Sequence, residues 1–123
     1  MSPIDFDRLQ AEHPEFLATW QALRGWFASN WRKQYVELSV LKRALKKTTN
    51  PLELILAISK MAEHGMLEIA YRVKSPAGDL LEGEYPRPDL VPASLPDRDH
   101  SGWIDTSEAD VVSGYRWEPS SVA

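Results

Sequence analysis

The densest group of side chains that could do chemistry is Asp97-Arg98-Asp99-His100. Its two carboxylates and its imidazole could bind a divalent metal or serve as the centre of a hydrolase. Clusters of this kind are common in solvated loops, however, and metal sites normally draw a further ligand from elsewhere in the fold. A polar loop is therefore the favoured interpretation, and a hydrolase built on this loop is an outlying alternative.

Other sites of catalysis are not indicated by the sequence. His13 and His64 have no partner at metal-ligand spacing on a common helix, and His64 is expected to cap the end of a helix. The chain has no cysteine, which excludes disulfides and thiolate chemistry, and it contains no nucleophile elbow or glycine-rich phosphate loop. Glu82 and Glu84 share a strand face without a surrounding site. The sequence predicts a protein that is not an enzyme and that needs no cofactor or metal.

Basic residues form the clearest candidate binding surface. The whole chain has a net charge of -4, yet the segment from Arg24 to Asn50 has seven basic residues and one acid. From Ser75 onward the sequence has ten acidic residues and three arginines. These charges are either two solvated faces, or halves that pair with each other, or a docking patch for nucleic acid or an acidic protein. The candidate contacts are Arg32, Lys33, Lys42, Arg43, Lys46 and Lys47.

The elements that must position these cations can be read from local signals. Ser39 to Lys47 is a short amphipathic helix, and Asn50-Pro51 is a strong start signal for a second helix that ends at Gly65. The second helix is predicted to bury Leu54, Ile55, Ile58, Met61 and Ala62. An alternating strand, 67–74, then turns at Ser75-Pro76-Ala77-Gly78 and returns over 79–85.

The flanking regions complete the expected organisation. A helix is predicted from Ser2-Pro3 to about Glu12, and another from His13-Pro14 to Asn30 with an aromatic face. Gly25 in that helix indicates a close packing contact, and residues 34–38 suit a short strand. Four prolines in 86–96 favour an extended surface segment, and 111–117 suits a last strand. We expect a core at 1–85 and a proline-rich, acidic extension at 86–123 packed on the same domain.

The bulk properties fit a single soluble domain. The chain has 123 residues, with 43% hydrophobic and 26% charged residues, as is usual for globular proteins. The start of the sequence has no apolar signal region, and the longest apolar run, 52–58, is interrupted by Glu53 and is too short to span a bilayer. These features predict a cytoplasmic protein without membrane association.

Residues Phe16–Tyr85 resemble the winged helix-turn-helix superfamily. The resemblance rests on the order of elements, the Asn50-Pro51 helix start, the Gly65 helix end and the turn at 75–78. It implies an α+β fold in which helices precede a β-hairpin wing. Members of this superfamily include transcription regulators as well as scaffolds that use the same face to bind proteins, so the resemblance implies a binding role.

The residues of the second helix bear on which ligand is bound. In DNA-binding members this helix enters the major groove, where basic and polar side chains contact base edges. Here its expected outward positions include Glu53, Lys60 and Glu63, while the cations lie on the preceding helix. The sequence therefore predicts an accessory or adaptor protein of a bacterial-type multi-component system that binds an acidic protein surface. The alternative is a DNA-binding regulator that reads phosphates and shape.

Two further expectations concern contacts outside the basic helix. Arg87, Trp103 and Trp117 are candidate anchors of a second contact, because Arg and Trp are enriched among interface hot spots. The competing interpretation is that both tryptophans cover the domain core. A homodimer is a further option, because the helix after Pro14 carries more aromatic surface than one small core can bury.

Overall fold

The computed structural model describes residues 2–97 and 102–118. It is a mixed structure, which confirms the α+β class. The helices are α1 (Phe6–Glu12), α2 (Leu17–Asn30), α3 (Leu38–Leu45) and α4 (Pro51–Glu63). The strands are β1 (Tyr35–Glu37), β2 (Glu68–Lys74), β3 (Ser94–Asp97), β4 (Gly102–Asp105) and β5 (Asp110–Arg116).

Contacts divide the chain into two compact units. The first unit contains Met1–Glu68 and Tyr115–Ala123, and the second contains Ile69–Gly114. The division differs from the predicted boundary at residue 85, because the end of the chain returns to the helices of the first unit. The first unit holds all four helices and all six predicted basic contacts.

The start of the first unit differs from the prediction in its cap. The side chain of Asp5, not Ser2, accepts the backbone N–H of Arg8 at 3.0 Å, and α1 begins at Phe6. The Asp5 carboxylate can satisfy a free N–H of the first turn, which is why it takes the capping position. A short 3-10 turn at Pro14–Phe16 then leads into α2, as His13-Pro14 predicts.

Aromatic side chains form the core of the first unit. Trp20 and Phe27 of α2 are fully buried, and Trp117 lies edge-on to Phe27 with 4.8 Å between ring centroids. The Trp117 indole N–H donates to the carbonyl of Trp31 at 3.0 Å, which satisfies the only polar atom of that side chain. The aromatic face of α2 thus packs within its own unit, and homodimer formation stays a prediction.

Helix α4 forms where its start and end signals place it. The Asn50 side chain accepts the N–H groups of Leu52 and Glu53, and Gly65 follows the helix with a φ of 71°. The buried face is rotated from the predicted one. Its members are Leu54, Ala57, Ile58 and Met61. Ile55 was placed in this stripe by periodicity and is instead 38% exposed, because the core contacts the Ala57 side of the helix.

A three-stranded sheet has the order β1-β5-β2. The predicted last strand is confirmed as β5, whose end continues to Trp117, where the backbone N–H donates to Gln34 O at 3.2 Å. The turn after β2 is also confirmed, with Gly78 at a φ of 93°. The predicted return over 79–85 pairs with β2 only at isolated bridges, Tyr71 with Tyr85 and Lys74 with Leu80. More residues separate the bridges on the return segment than on β2, so residues 79–85 form no continuous strand.

The second unit has its own small core and a two-stranded antiparallel sheet. Strands β3 and β4 pair with Pro96 opposite Trp103, and Val73, Leu81 and Leu95 are buried in this unit. Pro96 is tolerated because β3 has only one neighbouring strand. Strand β4 is not predicted from the sequence, because four residues with one glycine carry too little periodic signal.

The two helix-related glycines give a matched pair of stability predictions. A Cβ at Gly25 would meet no atom within 4 Å, so the predicted close contact is wrong, and Gly25→Ala should raise the free energy of unfolding by about 1 kcal/mol. Gly65→Ala should lower it by about 1 kcal/mol, because alanine disfavours a positive φ. Urea unfolding followed by far-ultraviolet circular dichroism measures both. If both substitutions changed the free energy of unfolding in the same direction, the difference drawn here between the two glycines would be wrong.

Candidate functional site

Helix α3 and the turn that follows it carry four cations on the surface of the first unit. Leu41 and Leu45 turn into the core, which leaves the basic side chains on the outside of the helix. Lys42 is partly exposed, and the other three are exposed: Arg43, Lys46 and Lys47. Within residues 2–97 and 102–118, none of these four side chains forms an ion pair or a side-chain hydrogen bond. Their charge is therefore not neutralised by the part of the chain that is described.

The two other predicted cations lie at a different position in the same unit. Arg32 and Lys33 are exposed in the 3-10 turn Trp31–Lys33, which joins α2 to β1. The guanidinium carbon of Arg32 is 4.8 Å from the centroid of the Trp31 ring, a cation–π contact that holds the arginine at the surface. Lys42 and Arg43 thus lie in α3, Lys46 and Lys47 follow directly after it, and Arg32 and Lys33 belong to a separate turn.

A cleft of about 280 Å³ runs beside the basic helix. Residues of α3 and its C-cap line it together with the break and the first turn of α4. The lining residues are Lys42, Arg43, Lys46, Thr49, Pro51 and Leu54.

The outward face of α4 is apolar, which the sequence reasoning missed. Leu52 is 65% exposed, Leu56 is 43% exposed, and Ile55 lies between them on the same face of the helix. The residue one turn further along this face is Ser59, so no cation or acid interrupts the apolar row. The available signal was the excess of aliphatic residues in 52–58, which is more than a single buried stripe requires. We call Lys42, Arg43, Lys46, Lys47, Leu52, Ile55 and Leu56 the α3–α4 surface.

The two acidic residues of α4 have partners within the first unit. Glu53 is partly buried, and the Thr19 hydroxyl donates to its carboxylate at 3.5 Å. Glu63 pairs with Lys60 at 3.4 Å on the helix surface. The polar outward positions predicted for this helix are therefore engaged within the unit, and the side chains left for a partner are aliphatic.

The three predicted anchors of the second contact are not equivalent. Trp117 is 2% exposed in the core of the first unit, so its assignment as a surface contact is wrong and the core interpretation is correct. Trp103, in the second unit, is 73% exposed, so the core interpretation does not apply to it. Arg87, also in the second unit, pairs with Asp89 at 3.1 Å and remains on the surface.

The groups that could bind a metal are not those favoured by sequence spacing. In the Asp97-Arg98-Asp99-His100 cluster, residues 98–100 lie outside the described residues. In the first unit, Glu12, His13 and His64 each offer one possible ligand atom, and these atoms lie within 4.8 Å of one another. Sequence spacing could not reveal this group, because His64 comes from a different helix.

Two carboxyl groups have pKa values below their usual range, and both have identifiable hydrogen-bond donors. The Arg8 guanidinium donates to Glu12 at 3.0 Å and lowers its pKa. The Ser107 hydroxyl, followed by its backbone N–H, lowers the pKa of Asp105, which caps a 3-10 turn in the second unit. Both groups are therefore carboxylates at neutral pH.

Comparisons with protein-family models, with curated proteins and with solved structures gave no significant match. The winged-helix resemblance accordingly stays a prediction. Among the described residues, no helix has the length and apolar character needed to cross a membrane.

The different positions of Trp117 and Trp103 generate a direct test. Trp117→Ala should lower the free energy of unfolding by about 3–5 kcal/mol, because it removes a large side chain from a filled core. Trp103→Ala should change it by about 0.5 kcal/mol or less, as is usual for an exposed position. Urea unfolding followed by circular dichroism compares the two variants. A loss at Trp103 as large as that at Trp117 would contradict the burial described here.

Proposed function

We propose that this chain is a non-catalytic, winged-helix adaptor that binds an acidic, amphipathic segment of a larger protein at the α3–α4 surface. The observation that carries the proposal is the row of aliphatic side chains on the outward face of α4. Leu52, Ile55 and Leu56 are all more than a third exposed, although they are adjacent on one helix face. Contiguous exposed apolar residues on a soluble domain are typical of protein interfaces, because contact with water is unfavourable.

The charges beside this row select the chemistry of the partner. Lys42, Arg43 and Lys46 line the cleft next to Pro51 and Leu54, so a segment that lies in the cleft meets cations along one side. An acidic segment gains charge complementarity there, which raises the rate of association and disfavours basic competitors. An apolar side chain on the same segment can cover Leu52 or Leu56. The combination favours a partner with both acidic and aliphatic residues.

The arrangement of elements supports the winged-helix part of the proposal. Helices α3 and α4 are separated by a short break that ends at the Asn50 cap, and α4 is followed by β2 and its turn. This is the order in which a helix-turn-helix precedes its wing. The second helix of such a motif is the usual contact element, and here that helix carries the exposed apolar row.

DNA binding is the second candidate function, and the cations of α3 favour it. Four basic side chains, two in α3 and two directly after it, can hold phosphates in a sequence-independent and salt-sensitive manner. The outward face of α4 argues against base recognition, since it offers aliphatic groups where base edges require hydrogen-bond donors and acceptors. If DNA is bound, we expect the contact to be made by α3 through phosphates.

Site-specific photocrosslinking tests the adaptor proposal. A photoreactive residue at Leu56 should crosslink to a discrete partner in extract of the native cells, and one at Leu90 should not. Leu90 is a matched control, because it is 48% exposed but lies in the second unit. Equal labelling at the two positions, or none at Leu56, would count against the α3–α4 surface.

The partner found in this way permits a quantitative test. Replacing Leu52 and Leu56 by Asp should weaken its binding at least about tenfold in calorimetry. The substitution removes apolar contact at the centre of the interface and places carboxylates beside an acidic partner, which they repel. The same substitution at Leu80 and Leu90 provides the control. Unchanged affinity in the Leu52/Leu56 variant would refute the role of this face.

Fluorescence anisotropy with random-sequence duplex DNA separates the two candidates. We expect binding only at low salt, and loss of that binding when Lys42, Arg43, Lys46 and Lys47 become Glu. Micromolar or tighter binding that persists at physiological salt would reject the adaptor proposal and favour a DNA-binding regulator.

A further inference from the structure

A cluster of metal-binding groups joins the ends of two helices in the first unit. Glu12 is the last residue of α1, His13 is its C-cap, and His64 is the C-cap of α4. The carboxylate Oε2 of Glu12 lies 3.1 Å from Nε2 of His64, and the two imidazole rings have centroids 6.4 Å apart. One ligand atom from each side chain lies within 4.8 Å of the others.

These distances are close to those that a single ion imposes. Tetrahedral zinc binds nitrogen and oxygen at roughly 2.0–2.2 Å, which places neighbouring ligand atoms about 3.3 Å apart. The Glu12–His64 pair already meets this spacing, and side-chain rotation can bring His13 closer. Both histidine side chains are about one-fifth exposed, so an ion can enter from solvent.

The backbone beneath the cluster is fixed by the core. The carbonyl of His13 accepts the indole N–H of the fully buried Trp20 at 2.9 Å. The N–H of His64 donates to Lys60 O at 3.1 Å, which holds it in the last turn of α4. Ligands on helix ends that are anchored in this way lose little freedom when they bind an ion.

The local charges also favour a cation. His64 lies at the C-terminus of the 13-residue helix α4, where the unpaired carbonyls create partial negative charge. Glu15 places a carboxylate oxygen 3.7 Å from Nδ1 of His13. Arg8 is a positive charge that opposes the binding of a cation. Its guanidinium donates to Oε1 of Glu12, and Oε2 of the same carboxylate remains close to His64.

We propose that Glu12, His13 and His64 form a binding site for a divalent transition-metal ion, with Zn²⁺ as the ion that the donor set fits. Two imidazole nitrogens and one carboxylate oxygen suit zinc and its neighbours, whereas calcium and magnesium prefer sites made entirely of oxygen. Three protein ligands leave a further coordination position for water or an external group. The bound ion ties the end of α1 to the end of α4. This site is independent of the α3–α4 surface.

Calorimetry of the tag-free full chain with zinc chloride tests the site. We expect one ion per chain with a Kd of about 10 μM or tighter, weakened at least about tenfold by His13→Gln, by His64→Gln and by Glu12→Gln. His100→Gln is the matched control, because His100 is the remaining histidine of the sequence and should leave the affinity unchanged. Weaker binding by the wild type, or equal affinity in the His13 and His64 variants, overturns the proposal.

A second measurement does not depend on the folding of the variants. In the wild-type chain, zinc should shift the imidazole NMR signals of His13 and His64 and leave those of His100 in place. A shift confined to His100 overturns the proposal.

The thermal midpoint should also rise with zinc in the wild type and in His100→Gln, and rise less in His64→Gln, because only a folded chain brings these ligands together.

Discussion

Trp117 lies among Trp26, Phe27 and the carbonyl of Trp31, and the arrangement of the first unit depends on this contact. Edge-to-face geometry at 4.8 and 5.8 Å brings a residue from the end of β5 against helix α2. Large rings remove much apolar area from water, so this burial is a strong constraint on the position of the helices. The indole hydrogen bond adds direction, because only one orientation of the ring satisfies it.

The same constraint explains which residues remain for binding. Because the rings of α2 fill the core, helix α4 needs only a narrow buried stripe centred on Ala57 and Ile58. Its remaining aliphatic side chains stay outside. Neither group would be informative alone, since single exposed leucines and surface lysines are common on soluble proteins. Their presence on one unit, with a cleft lined by Lys42, Arg43 and Lys46 and by the first turn of α4, is the property that distinguishes this surface.

Local signals in the sequence account for most of the predicted fold. Asn50, Pro51 and Gly65 act through hydrogen bonds and backbone angles within a few residues, and the helix they bound is present. The predicted last strand is likewise present. The failures involve distant partners. Ile55 is exposed although its spacing predicts a buried position, and the sequence leaves Trp117 open between a surface contact and the core, because the side of a helix or strand that is buried depends on what packs against it.

The candidate sites show the same division between local and distant information. The cations of α3 could be identified from sequence, since an amphipathic helix fixes which of its residues face water. The Glu12, His13 and His64 cluster could not, because it requires two helix ends to meet. A single sequence offers no second signal for such a contact, and only the folded chain reveals it.

The two-segment composition of the first unit has a consequence for how the chain is made. Its helices leave the ribosome before residues 69–114, but Trp117 completes their core only after that whole stretch has been translated. The second unit is continuous in sequence. Native contacts that span so many residues slow folding, and the nascent helices expose apolar surface in the meantime. The first unit should therefore reach its final packing only after β5 has emerged.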